Sequence, residues 1–237
     1  MRDLFLHKKT QAILNFAVIL FIVKPTGNTM FDLIEEDEVM SRPMPAFVVA
    51  ATVAAELDAA VHIARDMSIV AKNARAIALR AGEQAAGFKA ITNFINEMAS
   101  ITIDVAFQIN EVATELSKLA VLKIRSEDSL TRVAAVKVDP DNENGQKKLK
   151  HIIGVIKIKH NKLDKELSSS LRQLEDQLEE INQQMRAAGV IAVTSKVEAS
   201  RAGEYQDSLN VVAENVQKAA DGIRDHVRKS SSLLAVT

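Results

Sequence analysis

Few residues in this chain are of a type and spacing to do chemistry. Five histidines, His7, His62, His151, His160 and His226, never fall at ligand spacing with a second histidine or with a carboxylate pair on one helical face, so no metal site is expected. Cysteine is absent. That excludes a disulfide framework, a thiolate metal site and a cysteine nucleophile, and makes a reducing cytoplasm the default location. There is no glycine-rich phosphate loop, GxSxG or HExxH. No catalytic residue, no cofactor and no enzymatic activity are expected. What stands out is a tetrapeptide carrying both charges, Arg-Ala-Gly-Glu. It occurs in RAGEQAAGF, Arg80 to Phe88, and again in RAGEYQDSL, Arg201 to Leu209, a displacement of 201 − 80 = 121 residues.

Composition limits what can position these residues. Of the 237 residues 47% are apolar but only 4% aromatic, so the apolar mass is Ala, Val, Ile and Leu, which suits thin helical bundles. A formal net charge of -1 gives no electrostatic reason to expect a nucleic-acid partner. The four prolines, Pro25, Pro43, Pro45 and Pro140, leave two proline-free runs of roughly 95 residues, long enough for long helices. Between them lies DPDNENGQ, Asp139 to Gln146, a loop signal.

Periodicity is helical in both runs. Leu167, Leu171, Leu174, Leu178, Ile181, Met185, Ala188 and Ala192 step by fours and threes, and so does the stripe from Phe88 through Ile95, Val105 and Val112 to Leu119. No strand alternation competes. The pattern predicts four helices, Ala46 to Ala81, Glu83 to Val138, Gln146 to Ala202 and Glu204 to about Leu233. Each RAGE then falls at a reversal: glycine closes a helix in the left-handed conformation, and the glutamate after it meets the positive end of the next helix. Gly82, Gly87 and Gly203 are assigned to these hairpin turns. The expected fold is all-α, an elongated antiparallel four-helix bundle of two hairpins, residues 46–138 and 147–237, joined by the loop 139–146. Because the middle helices are the longest, they should project beyond the bundle as a two-helix arm. His160, three residues before Leu163, reads as a polar core position that sets register, ahead of a pH sensor.

The two windows around RAGE resemble the cytoplasmic signalling tip of bacterial methyl-accepting chemotaxis receptors. In VAKNARAIALRAGEQAAGFKAITNFINEMA, Val70 to Ala99, the matches are Asn73, Ala78, Arg80 to Gln84, Gly87 and Phe88. In IAVTSKVEASRAGEYQDSLNVVAENVQKAA, Ile191 to Ala220, they include Val197, Glu198, Ala199, Arg201 to Glu204, Val211 to Ala213 and Val216. The resemblance implies a hairpin whose tip docks a coupling protein and a histidine kinase, and other receptors beside it. Such receptors are homodimers, whereas here one chain supplies both hairpins, so the expected state is a monomer that mimics a receptor dimer. Carried over residue by residue, the resemblance makes Arg80, Glu83, Gln84, Glu198, Arg201 and Glu204 the candidates for partner contact.

The chain departs from the family at Phe94, Asn96, Asn215 and Gln217, where the family has Glu and Arg, and at Arg65 and Arg186, where it has the apolar Phe of its trimer contact. A charge at such a contact costs several kcal/mol unless paired, which puts trimer packing and direct kinase control in doubt. The family's adaptation chemistry, methylation of paired Glu or Gln, would fall on Glu179, Glu180, Gln183 and Gln184, although such pairs are more often a solvated helix face.

The N-terminal 45 residues are expected to form an apolar segment followed by an acidic, proline-containing linker. AILNFAVILFIV, Ala12 to Val23, makes roughly 18 Å of helix, too short for a bilayer of about 30 Å. It is read as a peripheral, membrane-associating segment or as sequence preceding a true start at Met30, with a signal anchor and an added core helix as the competing readings. Taken together, these observations predict a non-enzymatic signal-transduction adaptor or scaffold in the cytoplasm. The alternative is a purely structural coiled-coil protein whose degenerate tip binds nothing.

Overall fold

A computed structural model describes residues 45–235, all of them within one compact unit, Pro43–Thr237. The expectations for the N-terminal segment, Ala12 to Val23 included, lie outside the described residues. The described chain is all-helical, with no strand. Helix α1 spans Ala46–Ala81, α2 Ala86–Ala134, α3 Glu143–Ala199 and α4 Gln206–Leu234. At about 1.5 Å per residue their 36, 49, 57 and 29 residues give α2 and α3 the greater length.

Each helix packs mainly on two others: α1 on α2 and α4, and α3 on the same pair. Helices α1 and α3 therefore lie across from one another, and so do α2 and α4. Buried positions repeat at the displacement of 121 that separates the RAGE copies. Leu57, Ala60, Ala64, Met67 and Ala71 on α1 correspond to Leu178, Ile181, Met185, Ala188 and Ala192 on α3, and every one is buried. Phe88, Ile95, Ala99, Thr102, Ala106 and Ile109 on α2 correspond to Leu209, Val216, Ala220, Ile223, Val227 and Ser230 on α4, again all buried.

At several of these equivalent positions a large residue in one half answers a small one in the other: Ala60 corresponds to Ile181, Ala64 to Met185, Ala106 to Val227 and Thr102 to Ile223, while Met67 is large where Ala188 is small and Ile109 where Ser230 is small; Ala71 and Ala192, and Ala99 and Ala220, are small in both. Interiors fill space at the density of organic crystals, so a layer with one large and one small member can close where two small ones would leave a void. Each fully buried Leu, Ile or Met contributes about 1.5–3 kcal/mol relative to exposure. Buried hydroxyls other than that of Ser126 are satisfied within their own helices, Thr102 Oγ1 donating to the Met98 carbonyl at 2.8 Å and Ser195 Oγ to that of Ile191 at 2.7 Å.

Away from the RAGE turns the packing thins. Beyond Ala120 on α2 only Ser126 is buried, and before Leu163 on α3 no residue is. The tie between the two helices there is polar, Lys123 Nζ reaching Asp164 Oδ1 at 2.7 Å, and within α3 His160 Nε2 lies 3.3 Å from Asp164 Oδ2. His160 itself is half-buried, with Nδ1 unpartnered, and its partner Asp164 belongs to its own helix.

Helix bounds differ from expectation at the reversals. Helix α3 begins at Glu143, inside the stretch read as loop, because Asn142 accepts a hydrogen bond from the Gly145 amide at 2.8 Å and so caps the first turn. Helix α2 stops at Ala134 rather than Val138. Pro140 disfavours the helical region for Asp139, and Val136 and Val138 are β-branched, so little holds a further turn.

Candidate partner-docking site at the paired turns

Both turns rest on glycine. Gly82 has φ 62 and ψ −133, and Gly203 has φ 56. The left-handed closure expected at Gly82 is corrected by its ψ, which puts it in the mirror image of the extended region, where a side chain is costlier still. Neither turn leads straight into an α-helix. Each first makes a short 3₁₀ turn, Gly82–Ala85 and Gly203–Tyr205, with Glu83 and Glu204 in its opening residues. The copies also leave their helices differently. Helix α1 runs up to Gly82, whereas α3 ends at Ala199 and Ser200, Arg201 and Ala202 intervene, the Arg201 amide donating to the Glu198 carbonyl at 3.1 Å.

The two turns sit side by side. A Cβ placed on Gly203 would lie 2.8 Å from Gln84 Oε1, and one placed on Gly87 would lie 2.5 Å from Glu198 Oε2. Gly87 is consequently not a turn residue, as the sequence reading had it. It is the second residue of α2, and its missing side chain makes room for the other hairpin's glutamate. Below the turns the core closes on Ala85, Phe88, Ala202 and Leu209, all buried.

Of the six residues expected to contact a partner, Arg80, Glu83, Gln84, Arg201 and Glu204 are exposed. Glu198 is half-buried between Gly87 and Arg201, whose Nη1 lies 3.6 Å from its Oε1. The arrangement is a small charged cap, two arginines and two glutamates offered to solvent on a double turn. It can bind by ion pairing and hydrogen bonding.

Sequence reasoning missed the apolar surface leading up to this cap. On α3 Val190, Val193 and Val197 are exposed, and on α1 so are Ile69 and Leu79. Ile69 and Val190 occupy equivalent places, 190 − 69 = 121 residues apart. The signal was present in the spacing, since Val190, Val193 and Val197 fall between the seam positions Ala188, Ala192, Ser195 and Ala199 and so must face outward. Phe94, at a place where the resembled family has a charged residue, is exposed as well.

The positions considered for methylation lie along α3, some 30 Å of helix from Gly203 at about 1.5 Å per residue. Glu179 and Gln183 are exposed, as is Glu180. Glu179 is already engaged, accepting from Asn182 Nδ2 at 3.0 Å and Arg186 Nη2 at 2.7 Å. The Asn182 hydrogen bond first, then the Arg186 charge and Gln183, hold its carboxyl below the usual range against a smaller upward push from desolvation. Arg186, standing where trimers of the resembled family place Phe, is thereby an exposed, paired surface residue.

Among the described residues no group of three His, Asp or Glu could hold a metal ion. The two clearest surface depressions both lie on α3, at Asp164–Arg172 and at Lys147–Ile152, away from the turns. Among the described residues, Ala46–Ala134, which holds α1, the Gly82 turn and α2, contains a window of 18 residues with mean hydropathy 1.6, apolar enough to cross a membrane by length and composition. Comparison of the chain with known protein families, with characterised proteins and with solved structures finds no match.

Proposed function

We propose that the chain is a non-enzymatic signalling adaptor, an elongated antiparallel four-helix bundle with a two-helix arm, whose paired turns dock a chemotaxis-type coupling protein or histidine kinase. In this reading one polypeptide reproduces the dimeric tip of a methyl-accepting chemotaxis receptor, and it works in the cytoplasm as a monomer. The observation that carries it is the meeting of the two RAGE copies. Gln84 of the first lies against Gly203 of the second, and Glu198 of the second against Gly87 of the first. A glycine-based turn that served only to reverse the chain would need no such reciprocal contact.

Docking would use the exposed charges of Arg80, Glu83, Arg201 and Glu204 for orientation and the valine stripe Val190, Val193 and Val197 for burial. Affinity capture of a purified chemotaxis coupling protein on the immobilised chain tests this. Capture is expected, and it should be lost with Val193→Lys and weakened with the double charge reversal Arg201→Glu and Glu204→Arg. Absence of capture, or capture indifferent to both variants, removes the adaptor reading and leaves a structural coiled coil.

A further inference from the structure

The longest helix carries a second surface at its other end. From Lys147 to Lys162 the sequence of α3 is KKLKHIIGVIKIKHNK, with six lysines and two histidines, and no acidic residue occurs between Glu143 and Asp164. The chain as a whole has a formal net charge of -1, so the charge is segregated rather than general. Ion pairs reach this run from its two ends, Lys147 Nζ to Glu143 at 3.8 Å, Lys162 Nζ to Glu166 at 3.6 Å and His160 Nε2 to Asp164 at 3.3 Å. Lys148, Lys150, Lys157 and Lys159 are all exposed. The last part of α2 carries Lys123, Arg125 and Arg132 against Glu127 and Asp128, and Lys137 follows it in the connection to α3.

The same run exposes its aliphatic residues. Ile158 is 73% exposed, Val155 53% and Ile152 47%. At about 100° per residue these three fall within about a third of the helix circumference, on the side away from α2, interleaved with Lys148, Lys159 and Lys162. The half-buried Ile153 and Ile156 take the inner side. A solvated helix face has no use for three outward aliphatics, and a phosphate backbone none either, since it is met by Lys and Arg without apolar burial. An anionic bilayer uses both: the lysine stems snorkel to the headgroups while the branched side chains enter the acyl boundary.

We propose that residues 147–162 of α3 form a membrane-docking surface, specific for bilayers carrying anionic headgroups, which lays this end of the molecule on the lipid with the RAGE turns at the opposite end. The proposal does not rest on the adaptor reading. Charge complementarity identifies the occupant: clustered lysines near an anionic leaflet each add about tenfold or somewhat less to binding, with an effect confined to about a Debye length.

Sedimentation of the full chain with vesicles of phosphatidylcholine alone, and with phosphatidylglycerol mixed in, is the test. The chain should pellet with the anionic vesicles only and be released by salt. Binding should fall by more than about tenfold both with Lys148→Gln, Lys157→Gln and Lys159→Gln combined and with Ile152→Ser, Val155→Ser and Ile158→Ser combined. Circular dichroism checks that each variant stays helical. The chain contains no tryptophan, so Val155→Trp is a unique reporter whose emission should shift to the blue on anionic vesicles. Failure to pellet, equal pelleting with neutral vesicles, binding untouched by either set of substitutions, or an unshifted Trp emission would each overturn the proposal. Binding that survives both sets would assign membrane contact to another part of the chain.

Discussion

The carboxylate of Glu198 occupies the space that a side chain at Gly87 would fill, with Oε2 2.5 Å from the position of the missing Cβ. The obstacle is the far end of a flexible side chain, and Gly87 stands in the first turn of α2. Gly87→Ala should therefore cost little stability, within about 0.5 kcal/mol by urea denaturation, because Glu198 can swing away and alanine favours the helix. It should nonetheless impair capture of the partner by the paired turns if the position of Glu198 and its bonded Arg201 matters for docking.

Gly82 presents the opposite case. Nothing lies within 4 Å of a Cβ built there, so space is free, but φ 62 with ψ −133 is closed to other residues. Gly82→Ala is expected to destabilise by about 1–3 kcal/mol. Gly154, inside α3 and also with nothing within 4 Å, should behave inversely, Gly154→Ala stabilising by about 0.5–1 kcal/mol. Equal effects at the two positions would refute the backbone assignment.

Layer pairing across α1 and α3 can be measured by a double-mutant cycle. Met185→Ala empties space in a layer where its counterpart is Ala64, and should cost about 2–5 kcal/mol. Ala64→Met alone should overpack and cost about 1–3 kcal/mol. Combined, the two should recover part of the loss, with a favourable coupling of about 0.5–3 kcal/mol. Simple additivity would show that equivalent positions do not share a layer.

Acid should weaken the tie between α2 and α3 at Asp164. The hydrogen bond from Lys123 foremost, then the charges of Lys123 and His160, hold the Asp164 carboxyl below its usual range against an upward push from desolvation. A carboxyl with a lowered folded-state pKa adds stability above its unfolded value, and that stability is lost as pH falls through the folded one. Asp164 is 40% exposed, so Asp164→Asn should cost only about 0.2–1 kcal/mol at neutral pH. The difference from the parent should vanish once the pH lies below the lowered pKa, as urea midpoints at a series of pH values would reveal.

Light scattering in solution should give the mass of a single chain, 25.9 kDa. An obligate dimer would contradict the view that the second hairpin replaces a partner subunit.

Helical type could be read from the seam, because Leu174, Leu178, Ile181 and Met185 face inward at every step, and all four are buried. The positions of the two main reversals could be read from glycine in an alanine-rich run. What could not be read was contact between the turns. Glu198 against Gly87 and Gln84 against Gly203 depend on how two hairpins meet, and no local pattern encodes that meeting. The start of α3 was misplaced for a different reason. DPDNENG carries loop residues and a capping asparagine in the same few positions, and the cap at Asn142 won. The valine stripe near the turns was overlooked because three outward valines among small seam residues resemble the seam itself.

The unequal sizes at Ala60 and Ile181, Ala64 and Met185, and Met67 and Ala188 limit what either hairpin could do with a copy of itself. Two copies of the first half would confront alanine with alanine in two of these layers and methionine with methionine in the third, and two copies of the second half would reverse the fault. Each hairpin is thus better matched in size to the other than to a second copy of itself.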